Sequence, residues 1–322
     1  MRAPDFWGAP PGLAAGLLAP AGAVWTAAAS LRRSLVRPYR APSPVICIGN
    51  LVAGGSGKTP IVLSLAERLS QCGIDVHVVT RGYGGRLAGP VRVDLQEHDA
   101  DAVGDEPLML AAAAPTWVAR DRAAGIGAAC EAGAGLVLLD DGFQNPNFDK
   151  DLSVLAIDAG YGFGNGRVIP AGPLREPVEG GLARADAVVL IGDGPAPAEI
   201  ERSGLPILRA ALAPVDGARL ARRRVLAFAG IARPARFFAT LRGLGAEIVG
   251  AREFSDHHRF TAPEIAALRR EAAAADAMPV TTAKDWVRLP AANRQGIEVL
   301  AIDLFWRDPT ALDALLAPFL GQ

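Results

Sequence analysis

Residues 49–60 read Gly-Asn-Leu-Val-Ala-Gly-Gly-Ser-Gly-Lys-Thr-Pro, directly after the apolar run Val45, Ile46, Cys47, Ile48. A strand that feeds a glycine loop ending in Gly-Lys-Thr is what the binding of nucleotide phosphates requires. Glycines at 54, 55 and 57 let main-chain N–H groups approach phosphate oxygens without Cβ clashes, and a helix opening at Thr59 and Pro60 aims its positive end at the same anion. On this reading Ala53, Gly54, Gly55, Ser56, Gly57, Lys58, Thr59 and Pro60 form a cradle for ATP. Lys58 reaches the β- and γ-phosphates and the Thr59 hydroxyl binds Mg²⁺. The strict pattern G-x-x-x-x-G-K-[ST] has its first glycine where this chain has Val52, so the loop is a variant. Position 53 is Ala, which sets the loop apart from the partitioning ATPases that carry an extra lysine before the double glycine.

Other segments could complete a phosphoryl-transfer site. Leu136–Leu139 followed by Asp140 and Asp141 is an apolar strand ending in carboxylates; in a parallel sheet that end lies beside the phosphate loop, which suits Mg²⁺. Asp105, in Gly104-Asp105-Glu106-Pro107, is open to two readings, a helix N-cap or a carboxylate that orients or deprotonates an attacking hydroxyl. Ser255-Asp256-His257-His258 holds two of the four histidines, and in an extended segment at most one imidazole can enter a cleft. Arg81 to Gly85 is a flexible turn suited to acceptor contacts. Pro170–Pro177 is a rigid loop that offers Arg175 as a phosphate clamp and Glu176 as a metal carboxylate.

The elements that would hold these groups alternate β and α. A parallel sheet with helices on both faces, of the P-loop NTPase kind, is expected over 41–222, with residues 192–222 as a connection and a smaller α/β lobe over 223–322. That lobe reads as strands at Val225–Ala229, Glu247–Gly250, Pro279–Thr282 and Glu298–Ile302, with helices from about Pro234 and Pro263; Thr261 and Glu264 form a capping box. At 322 residues and 50% hydrophobic the chain supports two cores. A net charge of −1 without a basic–aromatic stretch speaks against nucleic acid, and Cys47, Cys72 and Cys130 form neither a disulfide framework nor a zinc site.

Residues 1–40 are a separate matter. Phe6 to Leu31 carries no charge, and Arg32, Arg33, Arg37 and Arg40 crowd its end. Pro10, Pro11 and Pro20 speak against a spanning helix, so a membrane-associated, interfacial helix is expected over about Ala21–Val36, with Trp25 at headgroup depth and the arginines on anionic phosphates. The competing reading is a helix packed on the protein's own core.

In order and spacing, GNLVAGGSGKTP, RGYGG, GDEP, DDGFQ, IPAGPLREP, FSDHHRF and TTAKD resemble the tetraacyldisaccharide 4′-kinase family (LpxK) of lipid A biosynthesis, over nearly the whole chain. That family's loop also lacks the first glycine. The resemblance implies transfer of the ATP γ-phosphoryl to the 4′-hydroxyl of a tetraacylated glucosamine disaccharide 1-phosphate, giving lipid IVA at the cytoplasmic face of the inner membrane. Its partners would be that glycolipid and the membrane surface, with no obligate protein partner. Motif by motif, it implies that Asp105 and His257 act as a catalytic pair alongside Lys58. It implies that Thr59, Asp140, Asp141 and Glu176 serve Mg²⁺, and that Arg81, Tyr83, Gln144 and Arg175 contact the acceptor. Taken without the resemblance, the residues also allow a membrane-associated P-loop ATPase switch acting on a protein partner, or a soluble small-molecule kinase or ligase whose N-terminal segment is core.

Overall fold

Short apolar runs buried on both faces dominate the first two-thirds of the chain, and they become strands that need helices above and below. The computed structural model describes residues 4–320, so the outermost residues of the expected segments 1–40 and 223–322 lie outside it. The chain runs α1 (Leu13–Leu35), β1 (Val45–Gly49), α2 (Lys58–Gln71), β2 (Val76–Thr80), β3 (Val91–Arg92), α3 (Ala100–Val103), α4 (Asp105–Ala111), β4 (Thr116–Val118), α5 (Arg122–Glu131), β5 (Leu136–Asp140) and β6 (Leu152–Asp158). It continues through α6 (Val178–Leu182), β7 (Ala187–Ile191), α7 (Ala198–Ser203), β8 (Ile207–Pro214), β9 (Arg224–Ala229), α8 (Pro234–Gly243) and β10 (Glu247–Glu253). It ends with α9 (Ala262–Ala274), β11 (Met278–Thr282), α10 (Ala283–Arg288), β12 (Glu298–Leu300), β13 (Ile302–Trp306) and α11 (Pro309–Leu316).

The large sheet has nine strands in the order β13-β8-β7-β6-β1-β5-β2-β4-β3. Its interior strands are parallel, and only β3 and β13, at the two edges, run antiparallel to their neighbours. From β1 the chain crosses past β5 to β2 on one side and later returns to β6 on the other, so the crevice beyond Gly49 is a topological switch point, where open α/β sheets bind ligands. One face is covered by α2, through Ile61, Leu65 and Leu69, and the opposite face by α5, through Ile126 and Ala129.

The second sheet, β10-β9-β11-β12, is parallel throughout and is flanked by α8 and α9, the latter opened by the expected Thr261–Glu264 capping box. Two expectations need correction. Residues 192–222 are no mere connection, because they contain α7 and β8, and β8 extends the large sheet beyond β7. Nor does the expected lobe 223–322 continue to the end of the chain. The strand expected at Glu298–Ile302 is two strands: β12 stays in the small sheet, while β13 pairs antiparallel with β8. After it, α11 sets Leu312 and Leu316 into the core beneath α2. The alternation of apolar residues along a strand says which face is buried but not which sheet it joins.

The N-terminal helix also differs from expectation. It starts at Leu13 and runs through Pro20 without ending, since one missing N–H in a 23-residue, Ala- and Leu-rich helix is a local loss. Only Ala15 and Gly22 are buried, while Leu13, Leu17, Val24 and Leu35 stand at 70–90% exposure, so the reading of this helix as core is overturned. Trp25 does not stand free, because its indole N–H donates to the Arg175 carbonyl at 3.0 Å; Arg33 is drawn to Glu176 at 3.5 Å. The helix thus leans on the loop that carries Arg175 while presenting an apolar face outward.

Because the C-terminal helix packs into the large-sheet unit, Leu316→Ala, at a side chain 1% exposed, lowers the unfolding free energy of that unit by about 2–4 kcal/mol in urea denaturation. A loss confined to the small-sheet lobe contradicts the assignment.

Candidate active site

The phosphate loop is shaped by what its residues do with their main-chain groups. Asn50, fully buried at the end of β1, donates from Nδ2 to the carbonyls of Val52 (2.6 Å) and Gly54 (3.4 Å) and curls the loop back on itself. Gly54 (φ 123°) and Gly57 (φ 79°) sit in the left-handed region, and a Cβ at Gly57 would lie 2.4 Å from Ile191 Cδ1. Helix α2 begins at Lys58 with no side-chain cap, so its first N–H groups are left facing the loop. Two members of the expected cradle play different parts. The Ala53 N–H is taken by the Pro173 carbonyl at 2.7 Å, and Pro60 has no N–H to give, serving instead to set the first helical turn.

Three buried side-chain oxygens around this loop have no hydrogen-bond partner: Asn50 Oδ1, Ser56 Oγ and Asp140 Oδ1. Orphaned acceptors of this kind fit a ligand that brings its own cation or donors. Asp140 ends β5 and is 2% exposed. Burial, reinforced by the nearby charges of Glu106 and Asp141 and opposed by Lys58, pushes its carboxyl up to about 7. Thr59, also buried, opens α2 beside Lys58. Among the described residues no cluster of three or more His, Cys, Asp or Glu that could hold a metal ion is present.

Asp141, next in sequence, faces the opposite situation. Its backbone is in the left-handed region (φ 57°), turning the carboxylate toward Lys58 Nζ at 3.7 Å and into a two-pronged pair with Arg175 at 2.9 and 3.1 Å. Burial would raise its pKa, but Lys58 and Arg175 hold it below the usual carboxylate range. Buried Arg122 adds a hydrogen bond to the Asp141 carbonyl at 3.2 Å.

Glu176 and Gln144 meet each other in the structure. Glu176 is 2% exposed and meets Arg184, Arg33 at 3.5 Å and Gln144 Nε2 at 3.2 Å, so both of its oxygens face protein donors and it braces the loop. Gln144 donates also to the Asn50 carbonyl at 2.8 Å, and Arg175 pairs with Asp141 beside Lys58, so both tie their loops to the phosphate cradle. Arg81 and Tyr83 do remain exposed on their turn, where Gly82 (φ 68°) leaves no room for a Cβ between Val118 and the Val103 carbonyl.

Asp105 comes from α4 of the large-sheet unit, but it does not cap that helix, whose N-cap is Gly104. Its carboxylate, 4% exposed, turns to the second lobe: His257 Nδ1 lies 3.2 Å from Oδ2, and Arg288 donates to the same oxygen at 2.9 and 3.1 Å. Burial alone would raise the Asp105 pKa, yet the His257 hydrogen bond and the Arg288 and Lys284 charges hold it far below the carboxylate range. Reciprocally, that hydrogen bond lifts His257 above its ordinary 6.5 against the opposing effect of burial. His257 is itself in the left-handed region (φ 58°), and the Tyr83 ring lies 6.0 Å from its imidazole. His258 turns the other way, to Glu264 at 3.1 Å and an edge-on contact with Phe260.

Asn50, Arg122, Arg184, Lys284 and Arg288 escape the sequence reading. Lys284 stands in the TTAKD motif and pairs with Glu106 at 2.6 Å; Arg288 lies one helical turn further on, a spacing that could have raised it, although nothing local marks it as buried.

Comparison with known proteins covers almost the whole chain. The profile of the family described as "LpxK: Tetraacyldisaccharide-1-P 4'-kinase" matches residues 14–320. A tetraacyldisaccharide 4′-kinase of Rhodospirillum centenum is 59% identical over all of this chain and 97% of its own length. One from Paramagnetospirillum magneticum is 52% identical over 98% of each. A crystal structure of the "apo" form of LpxK from Aquifex aeolicus in complex with ATP superposes with a TM-score of 0.78 at 26% identity, covering 95% of this chain and 99% of that one.

Because folding raises the His257 pKa, its contact with Asp105 contributes fully to stability below pH 6.5 and is lost as pH rises through the elevated value. In an NMR titration the His257 ring accordingly has its midpoint above 6.5, falling toward or below 6.5 in Asp105→Asn. An unchanged midpoint contradicts the pairing.

Proposed function

The chain belongs to the tetraacyldisaccharide-1-phosphate 4′-kinase family, and we propose that it performs that reaction with ATP held on the 54–59 loop and the sugar hydroxyl presented to Asp105 and His257 in the cleft between the lobes. It is an ATP-dependent kinase of lipid A biosynthesis that forms lipid IVA by phosphorylating the 4′-hydroxyl of the acylated disaccharide 1-phosphate. The observation that carries the site assignment is a buried carboxylate of one lobe, Asp105, in contact with an imidazole of the other, His257.

The loop amides of Gly54 to Gly57 and the first turn of α2 surround the triphosphate, and Lys58 adds a positive charge between its outer phosphates. Mg²⁺, when bound, neutralises developing charge on the β- and γ-phosphates; Thr59 Oγ1 and the unpartnered Asp140 carboxylate are the groups that would hold it. Asp141 stays anionic between Lys58 and Arg175 and fixes the lysine. Transfer through a loose transition state asks chiefly for alignment of the acceptor oxygen. A carboxylate as weakly basic as Asp105 suits that task, accepting a hydrogen bond from the hydroxyl and aiming its oxygen at the γ-phosphorus, while the Asp105–His257 pair takes the proton as transfer proceeds.

An acylated acceptor resides in a bilayer, and α1 offers a matching surface. Its outward face carries Leu13, Leu17, Val24 and Leu31, with Arg32 and Arg37 at its end for anionic headgroups, while its inner side bonds to the loop of Arg175 and Glu176. The reading places the enzyme at the cytoplasmic face of the inner membrane, the side on which ATP is present.

Incubation with labelled ATP, Mg²⁺ and the disaccharide 1-phosphate in detergent yields a phosphorylated lipid, and Lys58→Ala reduces the rate by about 10²-fold or more. Asp105→Ala lowers kcat with little change in the KM for ATP. ATP turnover without a lipid product overturns the kinase reading, and a large rise in the ATP KM for Asp105→Ala reassigns that residue to the nucleotide.

A further inference from the structure

Arg288 ends α10 with a side chain 3% exposed, and every one of its hydrogen bonds bears on the catalytic pair. Nε and Nη2 donate to Asp105 Oδ2 at 3.1 and 2.9 Å. Nη1 donates to the Gly230 carbonyl at 2.7 Å and to Asp285 Oδ1 at 3.1 Å. That same Gly230 carbonyl receives the His257 main-chain N–H at 3.1 Å, and the Gly230 N–H is held by Asp285 Oδ1 at 3.0 Å. One guanidinium therefore joins the Asp105 side chain to the backbone that sets His257.

The contact has an unusual distribution. An arginine fork facing a carboxylate ordinarily takes one oxygen with each prong. Here both prongs fall on Oδ2, the oxygen that also meets His257, and Oδ1 accepts no protein hydrogen bond among the described residues. A pair serving only to tie the lobes would gain by using both oxygens. We propose that Arg288 is a positioning residue of the kinase: it clamps Asp105 through Oδ2 and, through Gly230, the His257 loop, so that Oδ1 is kept for the hydroxyl of the glycolipid acceptor.

This inference rests on reading Asp105 and His257 as the catalytic pair. Removing the guanidinium leaves His257 as the remaining direct partner of a buried carboxylate. The other charged groups nearby are Lys284, already engaged by Glu106, Asp285 on α10, Asp256 on the histidine loop, and Glu106 on Asp105's own helix. Tyr83 stands across the imidazole. Since Asp105 must be ionised to accept from the hydroxyl, loss of the adjacent cation moves the acid limb of the rate profile to higher pH. Lysine restores the charge but not the fork, and so restores the limb without restoring alignment.

The test uses the full-length protein in detergent with ATP and the disaccharide 1-phosphate, comparing Arg288→Gln, Arg288→Lys and Asp105→Asn by kcat, KM for ATP, pH profile and thermal melting. Arg288→Gln loses on the order of 10²-fold in kcat at an unchanged ATP KM, with the acid limb of kcat/KM displaced upward. Arg288→Lys returns the limb toward its original position while kcat stays low. Guanidinium ion at millimolar concentration partly restores Arg288→Ala. A lowered melting temperature with kcat and pH profile intact, in either Arg288→Gln or Arg288→Lys, makes the residue merely structural and overturns the inference. Should Arg288→Gln fail to fold, the kcat of a cooperatively melting Arg288→Lys decides in the same way. Asp105→Asn separates the two levels: if it remains fully active, the catalytic pair itself is wrongly assigned, whereas its inactivity beside active Arg288 variants sinks only the positioning role.

Discussion

A carboxylate taken out of water must be paired, and Asp105 finds its partners across the cleft. The residue sits on α4 of the large-sheet unit, while His257 and Arg288 belong to elements packed on the small sheet. Neither unit alone can satisfy that charge. The requirement fixes how the lobes meet, brings an imidazole against the Asp105 carboxylate, and lowers that carboxylate's basicity. Lys284 and Glu106 repeat the arrangement one residue along, strengthening the same seam.

Within the kinase core, two adjacent aspartates divide the electrostatic work because the chain turns between them. Asp140 is still in the strand and points into the loop with one oxygen unanswered; Asp141, turned into the left-handed region, is surrounded by Lys58, Arg175 and Arg122. Among the described residues the first has no cationic partner, and the second already has two. The loop bearing Arg175 and Glu176 then links this arrangement to the N-terminal helix through Trp25 and Arg33, so the exposed apolar face of that helix is mechanically continuous with the residues that hold Lys58.

What the sequence disclosed follows from how local each signal is. The phosphate loop, the aspartates closing β5 and the capping box of α9 are made by residues within a few positions of one another, so spacing alone revealed them. The return of β13 and α11 to the large sheet was illegible, because the pairing of β13 with β8 spans some ninety positions and leaves no trace in the alternation of either strand. The surroundings of Glu176 were hidden for a similar reason: a carboxylate in a rigid loop looks free until Arg33, Arg184 and Gln144 are folded around it. The capping reading of Asp105 could be removed only by the folded structure, since Asp before Glu-Pro is a good helix cap in sequence, and the backbone gave the capping position to Gly104.

The central claim is that Asp105 and His257, supplied by different lobes, act on the acceptor hydroxyl as one unit. A double-mutant cycle on the single-turnover rate of lipid phosphorylation, with Asp105→Asn, His257→Gln and the combined variant at saturating ATP, tests it most directly. The account predicts that the combined variant is about as slow as the slower single variant, because either change dismantles the pair. Losses that multiply, as for two independent groups, would contradict it.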